Sequence, residues 1–181
     1  MTSSLFQNRH FTRYILGLCG SNFGYNMLVV AIGWHIYDIT NSALSLGLIG
    51  LAQFLPQFLL SLAAGHVADQ CDRRLIISVC QIVQGTMALV LAIGSYTGWM
   101  TSELIYVCAF LIGAARAYYS PATQALLPAL VERDVLPKAI SLSQAARNAS
   151  AIAGPALGGV SYLLGAGTAY AASAVLFIVG S

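Results

Sequence analysis

The chain has 181 residues, of which 58% are apolar and only 8% charged, with a formal net charge of +2 and a mean hydropathy of +0.77. A soluble domain carries about 25% charged residues, so these proportions exclude an ordinary soluble fold and specify an integral membrane protein, an all-α polytopic helix bundle in a lipid bilayer. Four cysteines without close pairing and three scattered histidines supply neither a disulfide framework nor a metal cluster. No cofactor, metal or nucleic-acid partner is expected.

Crossing about 30 Å of hydrocarbon takes about 20 apolar residues at about 1.5 Å each. Five stretches reach that length, at about 11–37, 44–66, 75–96, 104–127 and 140–164. A sixth, about 168–181, spans only about 21 Å, and the chain is expected to end inside that helix. The first run continues to about Tyr37 with no convincing cleavage site, so it reads as a retained helix and not a signal peptide. Arg9 and Arg13 precede the first span, Arg73 and Arg74 lie between the second and third, and Arg133 and Lys138 lie between the fourth and fifth. The opposite loops hold no Lys or Arg, which puts the N-terminus in the cytoplasm. Asp38 and Glu103 then fall at outer helix ends, and Tyr96 and Trp99 at the outer interface.

The first span carries Asn22 and Asn26 one turn apart and Gly33 two turns on, with Tyr25 beside them. Such a stripe reads first as a packing face and second as a ligand contact. Gln53, Pro56 and Gln57 put a kink at mid-depth in the second span. The most charged interval follows, G-H-V-A-D-Q-C-D-R-R from Gly65 to Arg74. Gly65 would let two helices approach, Asp69 ends the second apolar run, and Asp72 is placed to cap the third helix. Arg73 and Arg74 would reach headgroup phosphate. Gln81 and Gln84 lie in the third span, where nothing reads as reactive. In the fourth, Ala109, Gly113, Arg116, Ser120 and Thr123 recur at helical spacing, with Arg116 near the membrane centre. An arginine there costs about 2.5 to 3.5 kcal/mol on insertion scales, so it must face protein or a water-filled cavity. Pro121 and Pro128 kink and then end that helix. In the fifth, Gly154, Pro155, Gly158 and Gly159 form a bend and a close-approach surface, extended by Ser143, Arg147, Ser150 and Ser161.

Three of these stretches resemble the major facilitator superfamily. Gly65, Asp69, Arg73 and Arg74 resemble its loop between helices two and three, with Gln70 and Asp72 departing from the usual pattern. The run R-A-Y-Y-S-P-A-T-Q-A-L-L-P-A-L-V from Arg116 resembles the fourth helix of its drug-efflux branch, where an arginine faces the cavity, although Tyr119 and Ser120 replace a common Gln-Gly pair. Gly154 to Gly159 resembles the fifth-helix signature of its proton-coupled antiporters, with Ser141 and Ser150 where glycines are commoner. The branch most similar includes the enterobactin exporter and macrolide-efflux proteins.

The resemblance implies the N-terminal six-helix half of a transporter, residues 1–181, built of two inverted three-helix repeats and partnered by a C-terminal six-helix half. It implies a bacterial inner-membrane exporter of a small organic molecule that works by alternating access, with the proton as a candidate coupling ion. Asn22, Asn26, Tyr25, Arg116, Tyr118 and Arg147 are the candidate cavity residues. With two arginines and no carboxylate in the helix bodies, the expected substrate is anionic or rich in hydrogen-bond acceptors. The internal repeat itself is faint, limited to an echo between Ser45-Leu46 and Ser141-Leu142. Two other readings stand beside this one. A complete six-helix protein could act as a homodimeric transporter or scaffold. An intramembrane enzyme would need a nucleophile–base pair or metal cluster that scattered His10, His35 and His66 do not supply, so no enzymatic activity is expected.

Overall fold

The computed structural model describes residues 9–180, which form six helices: α1 (Arg9–Thr40), α2 (Ala43–Gln70), α3 (Arg73–Thr97), α4 (Ser102–Leu130), α5 (Leu136–Tyr162) and α6 (Ala166–Gly180). Every expected span is helical over its described residues, with Ser181 at the end of the sixth lying outside them, and most run past the apolar stretch because polar caps, not hydropathy, set the ends. The Ser42 side chain accepts from Ser45 N at 3.4 Å, Asp72 from Arg74 N at 2.9 Å and Thr101 from Leu104 N at 3.4 Å, each satisfying a first-turn N–H that has no partner within its helix. Gly98 closes α3 in the left-handed region at φ +78°, as a C-terminal cap requires. α5 starts four residues earlier than its apolar run, on Leu136–Pro137, since proline is pre-organised for a first helical turn. Four helices, α1 to α4, are long and apolar enough to cross a membrane by themselves; α6 is apolar but has 15 described residues.

The helices pack in a pattern that repeats. α2 lies against α4 and α1 against α5; α3 packs on both α4 and α6, and α1 on α6. Exchanging α1 with α4, α2 with α5 and α3 with α6 maps this set of contacts onto itself. Consecutive helices joined by short loops alternate in direction, so the two triplets are inverted copies. The shared core holds Leu28, Ile32, Ile36, Leu91, Ile105, Ile112, Tyr170 and Phe177, all buried. α2 is the least covered helix, with Leu51, Phe54, Phe58, Leu59 and Leu62 exposed.

Two glycines allow the equivalent crossings. A Cβ on Gly113 of α4 would overlap the Gln53 carbonyl oxygen of α2 and lie 3.0 Å from Gln53 Cα. A Cβ on Gly158 of α5 would lie 2.9 Å from both Cα and O of Met27 on α1. Backbone meets backbone at both points, the close approach that small residues permit in membrane bundles.

Candidate functional site

Polar side chains from three helices meet inside the bundle. On α4, Arg116 donates from Nη2 to Asn22 Oδ1 of α1 at 2.5 Å. Asn22 is held in that orientation because its own Nδ2 donates to Leu18 O at 2.7 Å, and it is buried. The guanidinium carbon lies 4.4 Å from the centroid of the Tyr25 ring and 5.1 Å from that of Tyr119, so the cation sits between two aromatic faces. Nη1 is buried and has no hydrogen-bond partner among the described residues.

A second arginine extends the constellation. Thr123, one turn after Tyr119, donates from Oγ1 to the Tyr119 and Ser120 carbonyls at 3.0 and 2.9 Å. It accepts from Arg147 Nη2 of α5 at 3.2 Å, and its carbonyl accepts from Tyr14 OH of α1 at 3.0 Å. Beside Arg147, a cavity of about 290 Å³ between α4 and α5 is lined by Tyr14, Gln124, Pro128, Ser143 and Gln144. Another, of about 320 Å³, opens from the Arg74 end and reaches Tyr14, Tyr119 and Thr123 past Arg13 and Gln81. Both lead to one polar column.

The column carries unbalanced positive charge. All six acidic residues of the chain, Asp38, Asp69, Asp72, Glu103, Glu132 and Asp134, lie at helix ends or in loops. No carboxylate pairs with Arg116 or Arg147 among the described residues. Two cation–π contacts worth about 0.5 to 2 kcal/mol each and one hydrogen bond offset most of the cost of an intramembrane arginine. Nη1 is left open, and a group that accepts hydrogen bonds and carries negative charge is its natural complement.

The other expected residues sort differently. Tyr118 packs against the cluster of Ile76, Cys80, Tyr119 and Ala122, whereas the neighbouring Tyr119 ring lies under the Arg116 guanidinium. A step of about 100° per residue separates the two faces. Asn26 donates to Asn22 O at 2.8 Å, and a Cβ on Gly154 would lie 2.6 Å from its Cβ, so it serves the α1–α5 contact. Gly154 and Gly158 of the fifth-helix motif face α1, with Pro155 between them inside a continuous helix, whereas Gly159 has nothing within 4 Å.

The loop motif holds the helix ends together from within. Asp72 caps α3 as expected. Arg73 donates from Nε to Ala68 O at 3.3 Å and from Nη1 to Ala125 O at 2.9 Å, tying the end of α2 to α4. The side chain expected to reach for headgroup phosphate turns here onto two helix-end carbonyls. Ala68 O and Ala125 O lie towards the C-terminal ends of α2 and α4, where a cationic side chain is favoured. Arg74 is exposed and lines the larger cavity. Asp69 is exposed, with no partner for its carboxylate among the described residues. Gly65 brings no helix close, since nothing lies within 4 Å of where its Cβ would be.

Tyr14 and Tyr119 were missed as site residues. Both stand at helical spacing from named ones, Tyr119 three residues after Arg116 and Tyr14 two turns before Asn22, but tyrosine in an apolar helix is too common to be a signal alone.

A family model described as a transmembrane secretion effector matches residues 3–180. The chain belongs to this family of major facilitator transporters. It is similar to macrolide efflux protein A of Streptococcus pyogenes, 27% identical over 136 residues, covering 75% of this chain and 34% of that protein. The staphyloferrin A transporter of Staphylococcus aureus is 30% identical over 133 residues, 72% of this chain and 33% of its own length. An MFS-type transporter of Bacillus subtilis is 26% identical over 141 residues, 77% and 32% respectively. The chain spans about a third of the length of these curated relatives. Membership of the major facilitator superfamily accounts for the six helices and their inverted packing, and the relatives are named as transporters, not enzymes.

Proposed function

We propose that the chain is the N-terminal six-helix half of a bacterial inner-membrane exporter, with its N-terminus in the cytoplasm and a small anionic organic molecule as its substrate. The observation that carries this reading is Arg116, its guanidinium held between Tyr25 and Tyr119 with a buried Nη1 that has no partner, and no carboxylate to neutralise it, among the described residues. Relatives named for macrolide efflux and staphyloferrin A transport support a small organic cargo. A C-terminal half, in keeping with the third of the relatives' length that is matched, supplies the opposite wall of the cavity.

The cycle is alternating access. Asp69 stands free beside the Arg73 clamp in the arrangement described above. In the state closed to the cytoplasm it accepts from helix-end N–H groups or a cation of the facing half. A contact worth a few kcal/mol in one state and nothing in the other is enough to reverse their populations. Cells expressing the full reading frame that contains these residues are expected to expel preloaded carboxyfluorescein, an anion, faster than empty cells, while ethidium, a cation, leaves at the background rate. Asp69→Asn should slow the anion at least tenfold with membrane levels unchanged. Ethidium expelled in preference to carboxyfluorescein would reverse the charge assignment, and full activity in Asp69→Asn would remove the gating role.

A further inference from the structure

Far from Arg116, at the end of the bundle opposite the Gly65–Arg74 loop, four titratable side chains from three helices meet. His35 of α1 is half-buried, and its Nδ1 lies 3.0 Å from the hydroxyl of Tyr170 on α6. Their rings are 5.7 Å apart. Tyr170 is fully buried, and its hydroxyl is 3.5 Å from Ala31 O. One turn along α1, Asp38 accepts through Oδ2 from Tyr162 OH of α5 at 2.5 Å, and Tyr162 packs on Trp34 with ring centroids 6.5 Å apart. His10 lies in the first turn of α1 and His66 near the end of α2, both at the opposite end of the bundle.

We propose that His35, Tyr170, Asp38 and Tyr162 form a proton-binding site. The Tyr170 hydroxyl serves both states of the imidazole. With His35 neutral, Tyr170 O–H donates to Nδ1 and the proton of the ring is on Nε2. A proton taken from water then makes the imidazolium, Nδ1–H donates to the Tyr170 oxygen, and the tyrosine hydrogen turns toward Ala31 O. The buried hydroxyl keeps a partner in each case, which a buried polar group requires, so neither state carries the cost of an orphaned donor. Asp38 supplies the opposite charge one turn away and Tyr162 anchors it. Asp38 on its own helix and Tyr170 on α6 face His35, and Tyr162 of α5 and Cys108 of α4 face Tyr170; α2 and α3 contribute the apolar Ile49 and Leu91 to the core that holds Tyr170.

Uptake of the proton tightens the hold of α1 on α5 and α6 at this end, because the imidazolium strengthens both the Tyr170 bond and the attraction to Asp38. α1 also carries Asn22 and Tyr25, so the proton and the Arg116 site bias one helix from its two ends. As a coupling site this rests on the transporter reading; as a proton site it does not.

The test needs no substrate. In the full reading frame purified in detergent, with histidine rings isotopically labelled and every tryptophan other than Trp34 replaced by phenylalanine, ring resonances and Trp34 emission are followed from pH 5 to 8.5. The expected result is one reversible single-proton transition of the His35 ring, assigned by its loss in His35→Gln, with Trp34 emission changing at the same midpoint. That emission change disappears in His35→Gln, persists in His10→Gln and His66→Gln, and moves to lower pH in Asp38→Asn. Glutamine keeps a hydrogen-bonding group opposite Tyr170, and unchanged helix content by circular dichroism verifies the fold. A His35 ring that does not titrate, a Trp34 signal flat through its transition, or an Asp38→Asn midpoint that stays or rises would overturn the site. All of these outcomes leave the export of carboxyfluorescein, and so the transporter reading, separately testable.

Discussion

Gly113→Val is expected to be the most destabilising single change in the bundle, at about 3 kcal/mol or more, the upper range for overpacking. The added Cβ would meet the Gln53 carbonyl oxygen and Cα, backbone atoms of α2 that no rotamer change can move aside. The α2–α4 crossing must therefore widen, and the contact that unites the two triplets loosens with it. Gly65→Val is the matched control, because nothing lies within 4 Å of that position. Thermal unfolding in detergent, followed by circular dichroism, should show a large fall for Gly113→Val and almost none for Gly65→Val. Equal melting of Gly113→Val and the parent would mean that the crossing is not close.

Arg116→Gln should separate binding from stability. A charge-assisted hydrogen bond contributes about 1.5 to 3 kcal/mol, so carboxyfluorescein, followed by its anisotropy on the purified protein, should bind about 10- to 100-fold more weakly. Removing a buried charge that has no countercharge should leave the melting temperature unchanged or raise it. Arg116→Lys should recover part of the affinity, since it restores the charge but not the planar fork that lies between Tyr25 and Tyr119. A variant that binds as well as the parent would take Arg116 out of the site. One that loses stability along with binding would make it a packing residue satisfied by Asn22 and the two rings.

Much of this arrangement could be read before any coordinates, for reasons that differ by residue. Helix positions follow from runs of apolar residues and the start of α3 from Asp72, whose local chemistry is self-sufficient, while Ser42, Thr101 and Gly98 set ends that the apolar runs do not mark. Arg116 stands out because its burial is costly wherever the rest of the fold lies. What the sequence does not encode locally is rotational phase. Tyr118 and Tyr119 differ by one residue and by about 100° around α4, and only packing decides which ring meets the guanidinium. Gly65 and Gly113 look alike in sequence, yet one faces open space and the other the backbone of α2. The Arg73 clamp and the His35–Tyr170 pair join residues 52 and 135 positions apart, distances over which no periodicity carries information. The inverted repeat was faint for the same reason: it resides in which helices touch, not in which residues they carry.

Alternating access requires that one central position be reached from both faces of the membrane. Asn148 offers that position, since it is exposed near the middle of α5, adjoins Arg147 and accepts from Gln144 Nε2 at 3.0 Å. Asn148→Cys in the full reading frame, with Cys19, Cys71, Cys80, Cys108 and every further cysteine of that frame replaced by alanine, can be treated with a membrane-impermeant maleimide in right-side-out and in inside-out vesicles. The account predicts labelling in both preparations, with Asp69→Asn changing the ratio of the two rates at least severalfold. Labelling from one face alone, or from neither, would contradict it.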